Sequence, residues 1–231
     1  MTTVANYLEK FFLNQSQFAA FCRVDEAWID RLIEAHCIPA PSYVVTEDST
    51  ILSFVFGELP SQQAIPGRYF HLANKIWLER AQNIVNEIGI DEASQALKTR
   101  FKYEFSLALK ELDTGLWLLP DCVDAKGHEI SAGFELRAQS AWEHFLHGTF
   151  GLCVANPISE AEIARKEILQ EKLNCLSEQG NKLKFTTEEA SALLQLIDEY
   201  AEASMPFSPA EFELSSRKGL VQDLRLRIQN S

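Results

Sequence analysis

The 231-residue sequence holds no C-x-x-C pair, no glycine-rich phosphate loop and no G-x-S-x-G nucleophile elbow. The commonest nucleotide-dependent and hydrolase chemistries, which need those backbone cradles and strained turns, therefore have no support here. Long apolar runs are missing too, and none approaches the roughly 20 residues of a membrane-spanning helix. Residues 1–10 lack the basic flank and apolar run of a cleaved export signal. The expectation is a soluble, cytoplasmic protein. Positive charge is also scarce: 21 Lys and Arg stand against 33 Asp and Glu, a formal net charge of −12. Such a field repels phosphate backbones and anionic lipid at long range, so nucleic-acid and membrane partners are not expected without a local basic patch. The five cysteines (Cys22, Cys37, Cys122, Cys153, Cys175) are odd in number, widely spaced and mostly set among apolar neighbours, as reduced core thiols are.

Apolar residues, by contrast, are plentiful. They make up 46% of the chain, enough for one substantial core or two small ones without metal or disulfide support. Their spacing predicts a mainly α protein. Ser16 and Asp25 are candidate caps for two short helices, the second with the stripe Trp28, Ile29, Leu32, Ile33 and Ala35. Ser42–Val45 and Ile51–Phe56 read as a small β-hairpin, and the loop holding Pro60, Pro66 and Gly67 marks a boundary between residues 1–60 and a helical body, 68–231. In that body Phe70, Ala73, Trp77, Ile84 and Ile88 predict one helix stopped by Gly89. Asp91 begins a longer one, ended by Gly115. Leu116–Leu119 and Glu129–Leu136 suggest a hairpin around a polar turn, and Ser140–Phe150 a short helix. Three further helix starts follow from capping patterns at Ser159, Thr186 and Ser208-Pro209.

The run Arg23-Val24-Asp25-Glu26-Ala27-Trp28-Ile29-Asp30-Arg31-Leu32, continuing to Pro39, resembles the second helix and following turn of the MerR-type winged-helix family over about 30 residues. The resemblance implies a helix-turn-helix with the hairpin as its wing. Its DNA-facing places, however, hold Asp25, Glu26 and Asp30, where a recognition helix presents hydroxyl and basic side chains. Residues 1–60 carry 8 acidic and 3 basic side chains, so no DNA-binding residues are expected there. The short basic run Lys98, Arg100 and Lys102 reads as a solvated helix face.

The densest set of reactive groups is Trp142, Glu143, His144, His147 and Cys153. His144 and His147 share a helix face at a spacing two metal ligands can use, but the zincin pattern is missing and no metal or cofactor is assigned. Cys153, between Leu152 and Val154, reads as an inert thiol rather than a nucleophile. Residues 142–167 and the early Cys37–Tyr43 also resemble an uncharacterised bacterial family of unknown function labelled as natural-product biosynthesis proteins. That resemblance implies a bacterial cytosolic protein and transfers no catalytic residue. The leading expectation is a non-catalytic accessory or binding protein for a small molecule or protein partner, with any pocket lined by 142–157 and the aromatic helices. The alternatives are a transcriptional regulator and a histidine- or metal-dependent enzyme centred on 142–153. Fifteen phenylalanines leave a homodimer open.

Overall fold

The computed structural model describes residues 3–60, 64–112 and 119–230. It is mostly helical, 62%, with ten α-helices among the described residues and one small antiparallel sheet of five strands. Among the described residues no helix is long and apolar enough to cross a membrane.

Helix α1 (Val4–Phe11) is capped by the Thr3 hydroxyl and runs straight into strand β1 (Phe12–Asn14). The next helix, α2 (Gln15–Cys22), is capped by Asn14 rather than by the expected Ser16. The Asn14 side chain accepts the Gln17 amide while the Gln17 side chain reaches back to the Asn14 amide, closing a capping box that leaves Ser16 inside the first turn. Arg23, in the left-handed region at φ 59°, ends α2. Asp25 occupies the cap position of α3 (Glu26–Glu34) as expected, yet its side chain makes no capping hydrogen bond.

The expected two-strand hairpin is part of a larger sheet. Strands β2 (Tyr43–Val45), β3 (Thr50–Ser53) and β4 (Gly57–Pro60) form a meander. β5 (Gly67–His71) pairs with β2 on one side and β1 on the other, giving the order β1-β5-β2-β3-β4. Phe70, placed in a helix from its spacing to Ala73 and Trp77, therefore lies in β5, and it stacks on Phe18 of α2. The strand is hydrogen-bonded to two strands that precede it in the sequence.

Helix α4 (Asn74–Ile88) ends at Gly89, whose φ of 85° suits a glycine, and α5 (Ile90–Leu112) starts at once, with Asp91 in its first turn rather than as its cap. The expected stop at Gly115 and most of the expected strand 116–119 lie outside the described residues. The second strand of that expected hairpin reduces to one bridge, Val123 to Glu129. Helix α6 (Ser131–Leu146) begins nine residues earlier than expected, and Thr149–Cys153 is a separate short helix, α7. Ser159 and Thr186 cap α8 (Glu160–Leu176) and α9 (Thr187–Ala203) as their spacing predicts, the latter through a full capping box. Ser208-Pro209 does not start a helix. The chain turns there, forms a short 3-10 turn (Phe212–Leu214), and then winds through a π-helical stretch (Lys218–Asp223) into α10 (Leu224–Gln229).

α5 packs against α4, α6 and α8, and α9 covers α8. The largest core joins Phe18, Ile29 and Leu32 of α2 and α3 to Phe70, Trp77, Phe101, Trp142, Phe145 and Ile163. A second core lies under the sheet, from Tyr7 and Tyr43 to Leu152, Met205 and Phe207, and a third joins α8, α9 and α10.

Candidate functional site

A cavity of about 320 Å³ lies between α5, α6, α7 and α8, with the β3–β4 turn at its edge. Its apolar wall is Phe105, Leu109, Ala141, Phe150 and Val55; its polar groups are Ser140, His144, Thr149, Cys153, Arg137, Lys166 and Glu167. α7 brings Thr149, Phe150 and Cys153 to the wall because two glycines let it press against the strand entry. Gly148 has φ 72°, and a Cβ there would lie 2.5 Å from the Ala40 carbonyl oxygen; a Cβ on Gly151 would lie 2.3 Å from Ser42 Oγ. Ser42 donates to the Gly148 carbonyl at 3.0 Å, locking the contact. Both glycines thus serve close packing.

The five residues singled out in the sequence divide. His144 and Cys153 line the cavity, whereas Trp142 is buried in the aromatic core against Phe101 and Phe145. Glu143 is exposed and accepts from Gln139 Nε2 at 2.8 Å. His147 stacks on Phe54 of the β3–β4 turn with ring centroids 4.0 Å apart, and its Nδ1 lies 2.7 Å from the Glu143 carbonyl oxygen. The His144 ring is edge-on to Phe54, with its Nδ1 3.4 Å from Thr149 Oγ1. Among the described residues no three His, Cys, Asp or Glu side chains converge as a metal site would require. Burial pushes the Cys153 thiol up to about 11, against the pull of the Lys166 ammonium, so it stays protonated at neutral pH. It forms part of the wall.

Two cations of the wall carry the electrostatics. Arg137 is held by two carboxylates: it donates to Asp121 at 2.6 and 2.7 Å and to Glu171 at 2.7 and 2.9 Å. Lys166 is buried, 4% exposed, and donates to Glu167 Oε1 at 3.0 Å and Gln170 Oε1 at 2.6 Å. Burial works against its charge, but Glu167, Cys153 and Tyr200 together more than offset it and hold Lys166 protonated. This lysine was missed in the sequence, although it left a signal there. It falls on the buried stripe Ile163, Lys166, Leu169 and Leu173 of α8, where a charge breaks the apolar pattern.

Behind the cavity wall lies a second buried polar group. Glu211, 1% exposed, accepts hydrogen bonds from Tyr43 at 2.7 Å, Ser208 at 2.8 Å and Ser53 at 3.1 Å. Burial raises its carboxyl above the usual range and the three hydroxyls partly offset that. The Glu211 carboxylate thus ties the C-terminal segment to the sheet.

The N-terminal residues that oppose DNA are placed as follows. Asp25 and Glu26 are exposed at the start of α3, and Asp30 forms an ion pair with Arg68 of β5 and accepts from Gln15 at 3.0 Å. Lys102 of the basic run is taken by Glu135.

Residues 97–229, more than half of the chain, match the model of a family of unknown function, DUF6058, and the chain belongs to that family. No curated protein and no solved structure matches it. The matched span supplies every residue of the cavity wall except Val55.

Proposed function

We propose that this chain is a non-catalytic binding protein that holds a small, largely apolar molecule in the cavity between α5, α6, α7 and α8. The cavity itself carries the reading. Its volume falls at the low end of small-molecule sites, the surface it presents is mostly apolar, and seven polar side chains converge on it. A protonated Cys153 and a His147 occupied by Phe54 argue for binding over catalysis. The resemblance to proteins labelled for natural-product biosynthesis suggests an accessory role there, in a bacterial cytosol. Titration of phenylpropanol, phenylpropylamine and phenylpropionate, followed by NMR shifts of residues on the wall, tests it. Binding of at least one probe, lost in Ser140→Trp, is the expected result, because exposed Ser140 can carry a plug without disturbing the core. Binding of none, or binding unaffected by the plug, overturns the reading.

A second reading, a transcriptional regulator, has one observation in its favour. Asp25, Glu26, Arg31 and Glu34 on α3 are exposed, so no described element covers that face. Its acidity opposes phosphate all the same. Retention on duplex DNA at low salt that fades as salt rises would favour the regulator over the binding protein.

A further inference from the structure

The inference concerns the chemical class of the ligand and rests on the cavity reading above. A buried ammonium on an apolar stripe is costly, and a hydrophobic residue of similar volume at the Lys166 position would suit the fold at least as well. Its hydrogen-bonding capacity is not fully used. An ammonium has three N–H donors, and Lys166 uses two in the hydrogen bonds of the structure. Its carboxylate partner, Glu167, is the next residue of the same helix, so the two side chains leave the axis in diverging directions, and Glu167 must fold back to reach it. The Glu167 side chain remains 44% exposed, so its carboxylate has room to turn out into water. Arg137, on the same cavity, shows the opposite arrangement, with two carboxylates engaging it bidentately. Of the two cations, Lys166 is the one that faces a single carboxylate. Phe105, Leu109 and Phe150 stand on the same cavity and can cover an apolar body.

We propose that the cavity takes a small carboxylic acid with an apolar or aromatic tail, its carboxylate seated on Lys166 Nζ and the Glu167 side chain turned out into water. The probes already named decide it. Calorimetry on the intact chain should give phenylpropionate about tenfold tighter binding than phenylpropanol, the expected gain for one charge-assisted hydrogen bond, with phenylpropylamine weakest. Glu167→Gln should tighten phenylpropionate several-fold and leave phenylpropanol unchanged, because a competitor for Lys166 is removed. Lys166→Met should bring acid and alcohol to equal affinity. Equal binding of acid and alcohol by the unaltered protein, a preference for the amine, or weaker acid binding in Glu167→Gln overturns the proposal while leaving the cavity reading intact. Failure of all three probes to bind overturns both. The comparison among probes and the Glu167→Gln result stand even if Lys166→Met does not fold.

Discussion

Gly151 marks how closely α7 is pressed onto the strand entry. A methyl group there would meet Ser42 Oγ at 2.3 Å and the His71 Cβ at 2.9 Å, so Gly151→Ala should lose about 1–3 kcal/mol of stability in urea unfolding through overpacking. The neighbouring His71 gives a pH signature. Burial lowers it to about 4 from an ordinary 6.5, and its Nδ1 accepts the Ala73 amide at 3.1 Å. Between those values the unfolded chain binds a proton that the folded chain does not. This contribution is therefore fully present above about pH 6.5 and is lost as pH falls to about 4, by about 3 kcal/mol in all. His71→Asn, which keeps an acceptor at that position, should flatten that part of the stability profile. The thiols offer a third residue-scale test. Cys175 is exposed while Cys37, Cys122 and Cys153 are buried, so an aromatic disulfide reagent should label Cys175 promptly and those three only on unfolding.

Among the elements, those with a long repeat and a chemical stop were legible in the sequence. α8 and α9 announce themselves by Ser159 and Thr186, and α4 by its stripe and Gly89. β2 and β3 were legible as the two arms of a hairpin, whereas β1 was not, because an alternating period cannot establish itself in three residues. β5 was hidden by the helix three residues beyond it, whose spacing absorbed Phe70. At the candidate site, His144 and Cys153 were found as reactive types, while Lys166 was passed over because its neighbours satisfied a helical stripe without it. Ser208-Pro209 misled for a physical reason as well. Its carboxylate, Glu211, gains three hydroxyl donors from two strands and its own turn instead of a helix-terminal amide. Removing it in Glu211→Ala leaves the buried Tyr43 and Ser208 hydroxyls without that acceptor, a loss of about 1–3 kcal/mol. Amide exchange should then speed up selectively in β3 and in residues 205–214, rather than uniformly.

At the scale of the whole molecule, the net charge of −12 sets the kinetics of any acidic ligand apart from its affinity. The long-range field slows the approach of an anion while Lys166 holds it once seated, so added salt should raise the association rate of phenylpropionate and also its dissociation rate. Stopped-flow measurement at two ionic strengths reads both. The distribution of the core has a different consequence. Phe18, Ile29 and Leu32 are buried in the same core as Phe70, Trp142 and Ile163, and a fragment of residues 1–66 would lack β5 as well as those partners. Such a fragment should show little ordered structure by circular dichroism. During synthesis the first 60 residues therefore emerge with no means of completing their sheet until β5 has followed. The Tyr43 hydroxyl waits still longer, for a carboxylate 168 positions downstream. Non-local closure of that kind is slow, and it makes the newborn N-terminal strands the part of this chain most dependent on protection from aggregation before the last helices arrive.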